Sequence, residues 1–465
     1  MAQGMFKSRR RSKLSINKKK QKRQGKSPLL ILVSIPLLLI VLEIFARLFF
    51  SFTGEPSSIA EQPENSPLTR AYKLQFLSND EPIQGLSQGG KLQVERSPAF
   101  AYELKPNQNS NFWQINEQGW REEESISRNK PEDEIRIFIL GGSTAFGYYN
   151  ESNQETIAQQ LETGLNQRVQ EQQANPDDYQ PEELPFYEPD RDRLMEKEPR
   201  IQEGNYQVIN AAVPGYMSRN QLSQMALDIL PYDPDLIIVM GGYEDLMLPS
   251  QESFADIPVI DNYLSNPFQH FSAYLQKPFN DVVQSSYLLR MGLEWWKSPE
   301  VSTTANSLVL QQNPNQPLAS HLPQQPSELV ARVERYRQNQ RQMVQLAAGA
   351  KVPLISAIQP EITGRNLNNL PTQEQEIVDE LGDSYLQEVQ NAYSELNKAN
   401  NQLEELFPNN MISVNLYPKY QDFSNQAFID PIHLTAEGNN QAAQALYQTI
   451  IEMPKMQITP REPGS

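Results

Sequence analysis

The chain has 465 residues, a formal net charge of −17 and no cysteine. That length allows one large domain or two to three ordinary ones. An exported chain without disulfides must rest on a sizeable hydrophobic core, and strong acidity excludes nucleic acid as a partner, since phosphates would be repelled.

The charge is unevenly placed. Eleven Lys and Arg and no acid fall within residues 1–26, and Leu29 to Phe50 is almost wholly apolar. Such a stretch is long enough to cross a hydrocarbon layer of about 30 Å. Basic residues ahead of it favour an inside N-terminus. The expectation is a basic cytoplasmic arm over 1–28, a single retained transmembrane helix over 29–50, and an extracytoplasmic remainder. A cleaved signal peptide would need a shorter apolar core and a small-residue cleavage site, for which Phe50-Ser51-Phe52-Thr53 is poor. A buried core helix would leave the flanking charge without a reason. Pro36, Glu43 and Arg47 weigh mildly against any span, although Glu43 and Arg47 are four apart and can pair.

Residues 51–98, rich in Ser, Gln, Pro and Gly, read as a tether. Apolar content rises from Ala99, Phe112 to Asn116 looks like a short strand, and Gly119-Trp120-Arg121 closes a lead-in that covers a sheet edge. Ile135 to Leu140 then reads as a strand buried on both faces. Gly141-Gly142 permits a tight turn that delivers Ser143 at the strand's C-terminal end. Ile157, Leu161, Leu165 and Val169 recur at helical spacing. Residues 171–204 form an acidic insertion with several prolines, expected to stay solvated on the side of the sheet away from Ser143.

Further strands are predicted over Tyr206–Asn210, Leu236–Met240, Lys351–Ala357 and Met411–Leu416. Helices are predicted over Gln221–Leu230, Ser327–Ala348, about Gln373–Leu406 and Ala436–Ile451. Alternating strands and helices imply a doubly wound parallel sheet covered on both faces. Residues 247–326 leave the third strand on the same face as Ser143 and read as a helical cap insertion. Its aromatics, among them Phe254, Tyr263, Trp295 and Trp296, either fill a small core of their own or line a cleft that stacks on sugar rings or meets the membrane. Residues 454–465 read as a frayed tail.

A serine hydroxyl needs an adjacent base, and the chain has three histidines. His270 and His321 lie in the cap insertion, where packed or exposed lone histidines are the ordinary outcome. His433 lies in Asp430-Pro431-Ile432-His433, which the proline keeps out of ordinary helix. An aspartate placed so can accept from Nδ1–H and leave Nε2 free as a base; the competing reading has Asp430 capping a turn and His433 incidental. No His/Cys/carboxylate cluster has ligand spacing, so no metal and no other cofactor is expected.

Taken together these segments resemble the SGNH/GDSL-type hydrolases, a family of lipolytic enzymes and carbohydrate esterases. Gly141-Gly142-Ser143-Thr144 is similar to the family's first block, and Gly215, after Asn210-Ala211-Ala212-Val213-Pro214, to the glycine of its second. Gly242-Tyr243-Glu244-Asp245 falls on the third, normally Gly-x-Asn-Asp, and Asp430-Pro431-Ile432-His433 on the fifth. The resemblance spans roughly residues 100–452. It implies a three-layer α/β/α hydrolase domain, here placed over 99–453, with a flavodoxin-like five-stranded parallel sheet. It also implies Ser143 as nucleophile, His433 as general base and Asp430 as orienting acid, with the oxyanion held by the N–H groups of Ser143 and Gly215 and a side chain of the third block.

This sequence departs from the family at that last position, where Glu244 replaces asparagine. An amide donates to a developing oxyanion, whereas a carboxylate repels it. Three readings stay open: Glu244 is protonated and donates, it points away while another donor substitutes, or the site is catalytically weak and kept for binding. The expected function is a membrane-anchored, extracytoplasmic serine ester hydrolase removing O-acetyl groups from a cell-envelope glycan. The alternative is a polysaccharide-binding or acyl-transfer protein that does not hydrolyse; a phospholipase-like role is a third.

Overall fold

The computed structural model describes residues 67–78, 81–83, 90–97, 99–250 and 318–462. The expected cytoplasmic arm and anchor, His270 and the aromatics of the cap lie outside the described residues. Among the described residues no helix is long and apolar enough to cross a membrane.

Five strands form one parallel sheet: β1 (Glu134–Gly141), β2 (Asn205–Asn210), β3 (Leu236–Gly241), β4 (Leu354–Ile358) and β5 (Met411–Asn415), in the spatial order β2-β1-β3-β4-β5. Near-continuous apolar runs make these strands because both faces are covered. Ile137 and Ile139 of β1 pack with Leu161 and Leu165 of α2 (Ile157–Ala174) and with Leu446 and Ile450 of the last helix, Ala436–Glu452. Phe138 and Leu140 turn to the opposite side, against Met225, Met343, Val344 and Ala347. Successive side chains on a strand alternate faces, so this division yields the three layers.

The register sets the strand ends level. Gly141 lies beside Met240, Gly241 beside Ile358, and Ile358 beside Asn415. The residues that follow β1, β3 and β4 therefore emerge along one edge. Strand order reverses between β1 and β3, and open α/β sheets hold their ligands at such a crevice.

Several boundaries differ from the sequence reading for identifiable reasons. β4 starts at Leu354 because Lys351 ends the preceding helix, Pro326–Ala350, in a left-handed conformation with φ +63°. The helix predicted from Gln221 begins at Ser218, and its last turn widens over Met225–Ile229 before Pro231 stops it. The long helix Thr372–Leu406 is broken at Gly382, whose φ of +75° suits glycine.

Three expectations are corrected. The tether predicted over 51–98 is folded from residue 67: Pro67–Tyr72 is helical, and Leu74–Ser78 pairs in parallel with Leu92–Ser97. Tyr72, Leu74, Phe76, Leu92 and Val94 are buried in the same core as α2, and Trp113 Nε1–H donates to the Ala71 carbonyl at 3.0 Å. The acidic insertion is ordered, and so is the tail. Ile201 and Tyr179 are buried, the Arg168 guanidinium lies 4.3 Å over the Tyr179 ring, and Arg200 pairs with Glu182 at 3.2 Å and with Glu203. The tail runs beside the insertion: Gln202 N–H donates to Met456, Ile458 N–H to Arg200 and Arg461 N–H to Glu182, all within 2.9 Å. Each segment supplies the backbone partners the other lacks, which neither composition reveals.

The lead-in meets the edge strand as expected, with Arg121 N–H donating to Asn210 O of β2 at 3.0 Å.

Candidate active site

Gly142 is extended at the start of the one-turn helix α1 (Ser143–Phe146), which closes on Gly147 at φ +82°. Glycine there satisfies a left-handed helix end without steric cost. Ser143 is thereby placed at the β1 end and is 4 % exposed. Arg121 braces the far end of this turn. Its buried guanidinium donates to the carbonyls of Phe146 at 2.9 Å, Gly147 at 2.7 Å, Phe112 and Ser152 at 3.1 Å, and to Asn153 Oδ1 at 2.9 Å.

His433 comes from the loop between β5 and the last helix. Its Nδ1 meets Asp430 Oδ2 at 2.5 Å, while Asp430 Oδ1 accepts from the His433 N–H at 2.8 Å and the Ile432 N–H at 3.0 Å. Asp430 thus accepts from the backbone of the turn with one oxygen and meets the imidazole with the other. Burial opposes charge on Asp430, yet the adjacent His433, together with these hydrogen bonds, holds its carboxyl below the ordinary value. Tyr148 stacks on the imidazole at 4.9 Å and 26°, and Tyr149 meets it edge-on at 5.3 Å. Tyr149 adopts φ +70°, unusual for a non-glycine residue and costing on the order of 1–3 kcal/mol. His433 is 5 % exposed, and its Nε2 has no hydrogen-bond partner among the described residues.

The serine turn and the histidine loop touch through their neighbours. Thr144 Oγ1 donates to Ile432 O at 3.1 Å and accepts from Gln359 Nε2 at 3.2 Å, while Asn150 Nδ2 donates to Leu434 O at 3.2 Å. Ser143 and His433 are each one residue from this junction. No hydrogen bond joins Ser143 Oγ to His433 Nε2 in this structure, a common state before substrate tightens such a site.

Two further loops complete the edge. Val213-Pro214-Gly215-Tyr216 is a turn closed by Tyr216 N–H to Val213 O at 3.0 Å, with Gly215 at φ +84°. Val213 N–H donates to Gly141 O at 3.1 Å, so this turn lies along the end of β1. After β3, Gly242 at φ +116° starts helix α3 (Tyr243–Met247). Asp245 of α3 accepts from Ser218 N–H at 3.0 Å and Ser218 Oγ–H at 2.6 Å, tying this helix to the loop that carries Gly215.

Glu244 is 6 % exposed and packs against Gly142: a Cβ there would stand 2.2 Å from Glu244 Oε1 and 3.1 Å from the Tyr216 carbonyl. Among the described residues neither carboxyl oxygen has a hydrogen-bond partner of full geometry. Burial and the neighbouring Asp245 push its pKa up, its own N–H and that of Ser143 pull it back, and the result is about 8. The reading in which Glu244 points away from the serine turn is thereby set aside.

Beneath the histidine loop lies buried support that the sequence did not signal. Glu361 accepts from Thr363 N–H at 2.8 Å and Tyr385 OH at 3.2 Å, Tyr385 OH meets Tyr243 OH at 2.9 Å, and Ile362 N–H donates to Pro431 O at 2.9 Å. Glu374 pairs with Arg365 at 3.1 Å and accepts from the N–H groups of Ala427 at 2.7 Å and Phe428 at 2.8 Å. His321 sits in the turn Leu318–His321, where Arg332 donates to its carbonyl at 2.7 Å. Among the described residues no group of three His, Cys, Asp or Glu could hold a metal ion.

Fold and site define an α/β protein whose nucleophile-type serine, Asp–His pair and candidate oxyanion loops share one strand-end crevice. No family model matches the sequence, and no curated protein sequence matches it. Among solved structures it is similar to a lipase/acylhydrolase from Enterococcus faecalis, at 12 % identity over 68 % of this chain and 95 % of that one, with a TM-score of 0.33. It is also similar to an acetylxylan esterase from Geobacillus stearothermophilus (12 %, 70 % and 96 %, TM-score 0.33) and a GDSL-like lipase from Bacteroides thetaiotaomicron (12 %, 70 % and 92 %, TM-score 0.30). Likenesses this distant carry no reading of the site, which rests on its own geometry.

Proposed function

We propose that the chain is a serine ester hydrolase. The observation that carries this is the Asp430–His433 pair with a buried, unpartnered Nε2, held one residue from the junction that binds Thr144, the neighbour of Ser143. A base oriented on one nitrogen and free on the other has one evident use beside a serine hydroxyl.

Ser143 Oγ attacks the acyl carbonyl carbon while its proton passes to His433 Nε2. The carbonyl electron pair moves onto oxygen, which the N–H groups of Ser143 and Gly215 receive. Collapse of this intermediate expels the alcohol, which takes the proton from His433. Water then repeats the steps on the acyl-enzyme with His433 as base again. Asp430 stays ionised throughout and stabilises the imidazolium.

The finer reading follows from the sequence. The basic arm and apolar stretch support a membrane-anchored protein with its catalytic domain outside the cytoplasm, acting on O-acetyl groups of a cell-envelope glycan. The second reading, a polysaccharide-binding or acyl-transfer protein, is favoured by one observation, the carboxyl of Glu244 against the Ser143 N–H. Incubation with a fluorophosphonate and assay of acetate release decide between them. Labelling at Ser143 with release of acetate from acetylated glycan or p-nitrophenyl acetate is expected; unmodified Ser143 with no release would sink the hydrolase.

A further inference from the structure

The acyl-transfer steps above leave Glu244 unused, although its carboxyl lies against the turn where the oxyanion forms. Attack by Ser143 Oγ brings the substrate oxygen toward the Ser143 N–H. That same N–H faces Glu244, and the room beside it exists because residue 142 has no side chain. The titratable groups facing Glu244 are Asp245 and Tyr243 on its own helix, Tyr102 from the lead-in and Tyr393 from the helix Thr372–Leu406. Among the described residues all of these are acids or phenols, and none brings positive charge. A buried anion without a counter-ion or a complete hydrogen bond is costly, whereas a neutral carboxylic acid in the same place costs far less.

Resting on the ester-hydrolase reading, we propose that neutral Glu244 donates its O–H to the oxyanion formed at Ser143, and that its ionisation switches the site off. The proton stays on Glu244: it is shared in a hydrogen bond while the Oγ–C bond forms and the Ser143 proton moves to His433. Loss of that proton removes a donor and sets a negative charge against the Ser143 N–H. Burial keeps the neutral form dominant up to about pH 8, so the switch operates on the alkaline side.

The test is kcat/KM for p-nitrophenyl acetate against pH, in the full chain and in Glu244→Gln and Glu244→Leu. Wild type is expected to lose rate on the alkaline side, about tenfold per pH unit beyond the transition. Glu244→Gln, which still donates, keeps the acid-side rate within about tenfold and lacks the alkaline fall. Glu244→Leu loses about 10²–10³-fold at every pH. An alkaline fall that persists in Glu244→Gln, or a Glu244→Leu variant as fast as wild type, overturns the proposal. Should the variants not fold, the infrared C=O band of a buried protonated carboxyl is read in the wild-type protein, with Glu361→Gln and Glu122→Gln identifying the bands of Glu361 and Glu122, whose carboxyls burial also raises. A band from Glu244 present at neutral pH and lost on alkaline titration supports the proposal, and its absence overturns it. Fluorophosphonate labelling separates the two levels. Labelling with a pH-flat rate overturns only the role of Glu244, whereas no labelling at any pH overturns the hydrolase and this role together.

Discussion

Asp430 and Glu244 stand in one crevice and are pushed in opposite directions. Asp430 retains 31 % of its side-chain exposure, accepts two backbone N–H groups and faces an imidazole, so it holds its charge. Glu244 lies against a glycine and, among the described residues, faces no cation, so it resists charge. Partners, more than residue type, decide what a carboxyl does here. The same division separates acid and base roles wherever paired groups have their pKa values pulled apart.

The comparison can be broken most sharply by removing the hydroxyl of Ser143, the proposed nucleophile. Ser143→Ala is expected to lower ester hydrolysis by roughly 10⁴–10⁶-fold with the fold intact by circular dichroism. Asp430→Asn comes next, a loss of about 10³–10⁴ in kcat, because an amide cannot stabilise the imidazolium or fix the required tautomer. Set beside the mild effect expected for Glu244→Gln, one acid-to-amide exchange is severe and its counterpart tolerated; equal losses would erase the distinction.

Glu374 adds a third case, buried but paired. Glu374→Ala strands the Arg365 guanidinium and two backbone N–H groups, and denaturant unfolding should show a loss of about 3–5 kcal/mol. Gly142→Ala pushes a methyl into the Glu244 carboxyl and is expected to cost about 1–3 kcal/mol together with most of the activity.

The smallest effect is on stability against pH. Glu244 and Glu361 have folded-state pKa values raised by burial from 4.5 to about 8 and about 7. Between 4.5 and those values the folded state binds more protons than the unfolded, so their contribution is full below 4.5 and lost as pH rises. Thermal melts should fall from mildly acid to mildly alkaline pH, and Glu244→Gln should recover about 1–3 kcal/mol at the alkaline end. Asp430 works the other way, its stabilisation present above 3.8 and lost in stronger acid. A melting temperature that rises toward alkaline pH would contradict the assignment of Glu244 and Glu361.

Much of this architecture was readable from local pattern. Ile135–Leu140 and Leu236–Met240 are continuous apolar runs that only a sheet covered on both faces accommodates, and both are central strands. Ser143 and the Asp430–His433 pair announced themselves through glycine, proline and short spacing, which act within a few residues. The reading failed where folding energy comes from distant partners. The segment 67–97 looked like a linker until its strands paired, and the acidic insertion looked solvated until residues 456–461 ran beside it. Gln359 and the Arg365–Glu374 pair carry no local signal, and the bracing by Arg121 and Asp245 is not legible from the motifs they stand in, because these roles are defined by carbonyls, hydroxyls and N–H groups far along the chain.

The sequence by itself determined the strands, the helices that separate them and the candidate residues Ser143, Asp430 and His433, since periodicity and turn chemistry are local. It also determined that position 244 is an acid where an amide was expected. Only the tertiary structure decided that Glu244 lies on Gly142 and the Ser143 N–H, and that nothing positive among the described residues faces it. The charge of a carboxyl depends on how much water it loses and which dipoles surround it, and both quantities exist only once the loops after β1, β2 and β3 have come together.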